Sequence, residues 1–168
     1  YSTIREQIDA LHKADIPCEV IPGVSSFSGA AATLSAEFTL PAVSQSLIIT
    51  RMAGRTPVKD LESIRSFAAH QASMVVFLSS TMAEELSAEL IAGGYSSDTP
   101  AAIVYKATWP DEQVFHCNVS ELGQVASEHQ INKMALFLIG DFLGKEYDRS
   151  LLYHPEFSNQ FRDAKELP

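Results

Sequence analysis

Hydroxyls, backbone amides and cations sit at the ends of short apolar runs in this chain, a placement suited to holding a ligand. Residues 20–57 read VIPGVSSFSGAAATLSAEFTLPAVSQSLIITRMAGRTP. The β-branched run 18–21, bounded by Pro17 and Pro22, reads as a buried strand. Gly23 permits a sharp turn that lets backbone approach a ligand. Ser25 or Ser26 then caps a helix whose remaining N–H donors point outward, at the positive end of the helix dipole. Ser28, Gly29, Ala30, Ala31 and Ala32 are small enough for that helix to pack closely on a sheet or a partner. An ordinary strand-to-helix connection with a serine cap would use the same residues.

Three further apolar runs carry similar groups at their ends. Leu78 precedes Ser79, Ser80 and Thr81; Tyr105 precedes Lys106, Ala107 and Thr108; Met134 and Ala135 open the last run. Ligands of open α/β sheets collect at strand ends, where turns and helix starts supply donors. Small or unbranched side chains there leave backbone N–H and C=O groups accessible. Leu78, Met134 and Ala135 are equally what a strand core would supply. Arg51, Arg55 and Lys59 make a basic turn in a chain of formal net charge −9. Guanidinium forks match carboxylates in geometry and stay charged, so Arg51 and Arg55 are candidates for binding an anionic substrate; a solvated loop is the plain alternative.

Composition narrows the classes. Only 12 Lys and Arg, mostly scattered, in an acidic chain argue against a nucleic-acid surface. No apolar run approaches the ~20 residues that span a bilayer, and no charged-then-apolar leader opens the chain. Cys18 and Cys117 are expected as buried free thiols in a reducing cytoplasm. His12, His70, His116, His129 and His154 lie too far apart for metal-ligand spacing, so no metal is expected. Asp111 and Glu112 are adjacent and need not face one site, and no catalytic base emerges.

The elements that must position these groups alternate along the chain. Helices are expected at 3–15, 25–35, 60–70, 82–92 and 120–129, and strands at 18–21, 46–50, 73–78, 101–105, 113–119 and 134–139. In the third helix Leu61, Ile64, Phe67 and Ala68 share one face, and Gly93-Gly94 stops the fourth. This pattern predicts an α/β fold, a mixed and mostly parallel sheet flanked by helices, with the strand after Asp111 returning antiparallel. Beyond Gly144 the chain turns polar, with Tyr147, Tyr153, Phe157 and Phe161 interspersed as a docking tail or a frayed end.

The segments PGVSS, TRMAGRTP and YKATWPDEQ occur in order at suitable separations. Together they give a chain that resembles the tetrapyrrole methylases of cobalamin synthesis, most closely the branch acting at carbon 11 of precorrin-4 or cobalt-precorrin-4. The resemblance covers nearly the whole chain. It implies the C-terminal α/β domain of such an enzyme at 23–145, preceded at 1–22 by the last helix and strand of an N-terminal domain and followed by a tail at 146–168. Glycine-rich segments carrying the other half of the cleft would lie upstream of Tyr1.

The cofactor so implied is S-adenosylmethionine as methyl donor, with Ser25, Ser26, Leu78 and Ala107 at its usual contact positions. The strand-end residues Tyr105, Met134 and Ala135 join that set. Arg51, Arg55 and Lys106 are expected at the carboxylates of a precorrin substrate, in a cytoplasmic homodimer without nucleic-acid or membrane partners. A sister enzyme acting at another ring carbon, or a non-catalytic ligand-binding or dimerisation module, would share much of this pattern.

Overall fold

Side chains alternate across a strand with period two, and in this chain that alternation builds two apolar layers. The computed structural model describes residues 4–150 and 157–158. In β2 (Ser73–Phe77), Met74 and Val76 face one side while Val75 and Phe77 face the other. In β3 (Pro100–Tyr105), Ala101 and Ile103 oppose Ala102 and Val104; in β5 (Ala135–Ile139), Phe137 and Ile139 oppose Leu136 and Leu138. These three strands are apolar on both faces and occupy the interior of the sheet. The half-exposed β1 (Leu47–Arg51) and β4 (Gln113–Asn118) form its edges, in the order β1-β2-β5-β3-β4.

Helices cover one face. They are α3 (Ile64–Ala68), α4 (Ala83–Gly93) and α5 (Leu122–Glu128), which bury Ile64, Ala68, Leu86, Leu90, Leu122 and Ala126. On the other face lies α2 (Ser26–Thr33), with Phe27 and Phe38 packed in a tilted aromatic row that continues to Phe142. Gly29, Ala30 and Ala31 of α2 are buried, as its small-residue run predicted. Gly94 ends α4 in the left-handed region at φ 124°.

The sheet is mixed, as expected, but it is not mostly parallel. Only β1 and β2 pair parallel; β2–β5, β5–β3 and β3–β4 are all antiparallel. The turn after β3 reverses the chain into β4, as the sequence suggested. The α5 crossover then brings β5 back in that reversed direction, between β2 and β3.

Local expectations fail where a competing interaction or a missing partner intervenes. Residues 18–21 form no strand and are exposed; among the described residues nothing pairs with them. Cys18 is exposed rather than buried, its Sγ 3.8 Å from His12 Nε2, whereas Cys117 is half-buried and its thiol is pushed up to about 11, chiefly by burial. The first helix, α1 (Ile4–Lys13), has no buried residue. The helix expected over 60–70 is broken because the Ser63 hydroxyl accepts from the Ser66 N–H at 3.2 Å and starts α3 afresh. Asp60–Glu62 is left as a 3-10 turn, with Leu61 84% exposed instead of on the core face. Tyr147 is exposed; Tyr153, Phe161 and His154 lie outside the described residues. No described helix is long and apolar enough to cross a membrane.

Candidate functional site

Strand direction decides which residues meet. Arg51 pairs with Phe77, so β1 and β2 end together. Ala135, the first residue of β5, pairs with Tyr105, the last of β3. One end of the sheet therefore carries the ends of three strands and the starts of two, β4 and β5, which is why Met134 and Ala135 join the other strand-end residues although β5 runs the opposite way. A cleft of about 410 Å³ opens there, lined by Ser26, Leu78, Lys106, Ala107, Met134 and Ala135, with Phe77, Trp109, Asn132 and Lys133. A second cleft, of about 1020 Å³, shares Phe77 and Leu78 and is lined by Ser25, Thr50, Arg51 and Lys59.

Backbone conformation marks the same end. Leu78 (φ 54°), Lys106 (φ 50°), Thr108 (φ 71°) and Met134 (φ 56°) all lie in the left-handed region. Such conformations are uncommon for residues with a Cβ, and for a β-branched threonine they are outliers. The other five non-glycine cases, Asp15, Ser35, Ala42, Gln71 and Gln130, follow helices or sit in a tight turn, where a left-handed residue is ordinary. The four at the strand ends persist only because their surroundings hold them, and Leu78, Lys106 and Met134 among them line the smaller cleft. One such hold is visible: the Lys106 N–H donates to the Met134 carbonyl at 2.8 Å, tying two of them together. Leu78 is 80% exposed, so it is not strand core.

Ser25 occupies the N-cap position of α2, but its hydroxyl makes no capping bond. It faces the larger cleft and Ser26 the smaller. Gly23 is not in a left-handed conformation, and a Cβ there would meet nothing within 4 Å, so the sharp-turn role expected of it is not seen. Tyr105 lines neither cleft; its side chain packs toward the helical face.

The cations are arranged differently from the sequence expectation. Arg51 lines the larger cleft, but its guanidinium donates to the carbonyls of Met52 (3.0 Å), Thr56 (3.3 Å) and Pro57 (3.2 Å). It therefore shapes the 52–57 turn. Arg55 is exposed and lines neither cleft, so the two arginines do not converge. Lys59 takes the second cationic place in the larger cleft, a position the basic run at 51–59 could have signalled. Lys106 donates to the Asp111 carboxylate and lies 5.1 Å from the Tyr105 ring centre and 5.7 Å from that of Trp109. The bond to Asp111 raises the Lys106 pKa, and the same bond lowers that of Asp111.

Ser79, fully buried, fixes the point where β1 and β2 diverge. Its hydroxyl donates to the Phe77 carbonyl at 2.7 Å and accepts from the Met52 N–H at 3.0 Å. Ser79→Ala leaves both backbone groups without that partner. We expect a loss of about 1–2 kcal/mol in chemical denaturation, within the range for unsatisfied buried groups. A change under about 0.3 kcal/mol would show that water or a shifted chain replaces both bonds.

Residues 1–123 match the family described as Tetrapyrrole (Corrin/Porphyrin) Methylases. The chain is 44% identical over 98% of its length to the cobalt-precorrin-4 C(11)-methyltransferase of Methanocaldococcus jannaschii, and 40% identical over 96% to that of Priestia megaterium. It spans 64% of the length of each of these relatives. The X-ray structure of a cobalt precorrin-4 methyltransferase superposes with a TM-score of 0.83 at 40% identity, over 86% of this chain and 61% of that one. The uroporphyrin-III C-methyltransferase of Thermus thermophilus, solved with S-adenyl homocysteine, shares the fold at a TM-score of 0.67 and 22% identity, over 83% of this chain and 59% of its own. With a helix-flanked mixed sheet whose strand ends converge on paired clefts, and a family match over most of its length, the chain belongs to the tetrapyrrole (corrin/porphyrin) methylases.

Proposed function

We propose that the protein transfers a methyl group from S-adenosylmethionine to carbon 11 of precorrin-4 or cobalt-precorrin-4. The observation that carries this reading is the 44% identity to a cobalt-precorrin-4 C(11)-methyltransferase along 98% of the chain. The geometry supports it. Paired clefts of about 410 and 1020 Å³ suit one compact and one larger ligand, and the left-handed Leu78, Lys106 and Met134 line the smaller one.

S-adenosylmethionine, when bound, supplies a methyl on a positively charged sulfonium with a good leaving group, so the protein's task is chiefly alignment. Ser26, Leu78, Ala107 and Met134 would hold it. Ser25 lies toward the larger cleft, Ala135 lines the smaller one, and Tyr105, which lines neither, would stand behind the site. Lys59 and the turn shaped by Arg51 would receive the carboxylates of the tetrapyrrole, while Lys106, already paired with Asp111, would line the smaller cleft. Residues 1–22 would belong to a preceding domain: Ile16, Val20 and Ile21 expose apolar surface that such a domain would cover. The same reading makes the enzyme a cytoplasmic homodimer, which sedimentation of the full-length protein checks.

The direct test is incubation of the full-length protein with methyl-labelled cofactor and each precorrin, followed by locating the label on the ring. Label at another carbon assigns a sister enzyme; no transfer to either tetrapyrrole defeats the proposal. A second prediction separates the arginines. Arg51→Gln should raise the tetrapyrrole KM roughly five- to tenfold, about 1–1.4 kcal/mol, because three bonds holding the turn are lost at a partly exposed site. Arg55→Gln should change it less than about twofold, as an isolated exposed charge. Equal effects in steady-state kinetics would return the arginines to one shared site.

A further inference from the structure

We propose that Glu112 is a positioning residue that holds the 106–112 turn in its ligand-binding shape by clamping Thr108 to α2. This rests on the cofactor assignment above. Glu112 Oε2 accepts from the Thr108 N–H at 2.5 Å and from the Thr33 hydroxyl at 3.0 Å, so one carboxylate joins the turn to the last residue of α2. The Thr108 methyl lies over Gly29 one helical turn earlier: a Cβ at Gly29 would come within 2.9 Å of it. The turn is thus docked twice on α2, by a charge-assisted bond pair and by a close methyl contact.

The clamp acts on the residue least suited to its conformation. Thr108 is β-branched and sits at φ 71°, with Lys106 also left-handed at φ 50°. Ala107 lies between them and lines the smaller cleft. Lys106 has its own tether through the Met134 carbonyl and its pairing with Asp111. Thr108 has Glu112. Released from it, Thr108 relaxes toward ordinary backbone and carries Ala107 out of register with the cleft. The Thr33 hydroxyl also lies 3.2 Å from the Gly29 carbonyl; its single proton can turn back to that acceptor when the carboxylate is lost, so α2 itself stays satisfied.

The experiment uses the full-length protein, titrated with S-adenosylhomocysteine by calorimetry, alongside amide exchange of Thr108. Glu112→Ala should weaken binding at least tenfold and speed Thr108 exchange at least tenfold, with Glu112→Gln, which keeps an acceptor, within about threefold of the parent in both. The deciding variant is Thr108→Gly in the Glu112→Ala background. Glycine adopts the left-handed conformation without strain but lacks the methyl on Gly29, so the double variant is read against Thr108→Gly alone: with no strained residue left to hold, adding Glu112→Ala should cost less than threefold, which a general structural defect would not allow. Binding within twofold of the parent in Glu112→Ala, or a tenfold loss on adding Glu112→Ala to Thr108→Gly, overturns the clamp. If the unsubstituted protein does not bind S-adenosylhomocysteine, the cofactor assignment fails instead, and amide exchange alone decides the clamp: faster exchange in Glu112→Ala supports it, and unchanged exchange refutes it.

Discussion

Ala107→Leu is expected to weaken cofactor binding at least a hundredfold while leaving the melting temperature within about 2 °C. The affinity loss corresponds to about 2.7 kcal/mol or more. Ala107 lines the smaller cleft and is half-buried, at the crest of a turn fixed on either side by left-handed Lys106 and Thr108. The Lys106 N–H to Met134 bond keeps that crest from retreating, so the three added carbons of leucine project into the space a ligand would fill. Ala107 also packs against the apolar layer on the α2 side of the sheet, but the cleft beside it gives the added carbons room, so stability is expected to move little. Calorimetric titration and thermal melting of the full-length protein read the two effects separately. Affinity retained within threefold would place the cofactor elsewhere. A fall of 8 °C or more would make Ala107 part of the core and void its place in the site.

The contrast between Ala107 and its neighbours shows what a sequence can disclose about this fold. Runs such as Met74–Val76 and Leu136–Leu138 were readable because β-branched and large apolar residues bounded by turns have few other uses. Their order in the sheet was not. Whether β5 lies beside β2 running up or down depends on the reversal at 106–112 and the path of α5, and periodicity carries no direction. Ser63 shows a second limit. Leu61, Ile64, Phe67 and Ala68 have helical spacing, yet one serine hydroxyl captures the Ser66 N–H and rotates Leu61 into solvent.

The strand-end positions that line the smaller cleft were legible in the sequence, and their conformation was not. Strand ends pointed to Leu78, Lys106, Ala107 and Met134, all of which line one cleft. That three of these four, with Thr108, are left-handed could not be read, since leucine, lysine, threonine and methionine carry no preference for positive φ. Only tertiary bonds make those conformations hold. The arginines show a related limit: residue type shows that a guanidinium can bind carboxylates, but not that the carbonyls of the 52–57 turn already engage that of Arg51. Glu112 was passed over beside Asp111 because adjacency in sequence says nothing of two carboxylates folding back onto different atoms of one turn.

Gly93→Val should cost about 3 kcal/mol, the upper end of the range for overpacking a tight contact, and lower the melting temperature by roughly 6–12 °C for a protein of this size. Gly93 is the last residue of α4, and a Cβ there would lie 2.4 Å from the Arg65 carbonyl oxygen, 2.5 Å from the Ala68 Cβ and 3.0 Å from the Arg65 Cα. These are backbone and Cβ atoms of α3, so no side chain can swing away. The two helices must separate, and they share buried Ile64, Ala68, Leu86 and Leu90. The Arg65–Glu89 ion pair that also joins them, at 2.7 Å, is too exposed to offset this. Valine's better helix propensity recovers only a few tenths of a kcal/mol. Ala92→Val, one residue earlier and exposed, is the control and should stay within about 0.5 kcal/mol of the parent. Because α4 is 11 residues long, about 16 Å, Gly93 lies a helix length from the Ser79–Met82 turn beside the clefts. At low temperature, where the variant remains folded, cofactor affinity should therefore match the parent within about twofold, the reverse of Ala107→Leu. A stable Gly93→Val protein, or one whose binding fails before its fold, would show that α3 and α4 do not meet as closely as Arg65 and Gly93 do here.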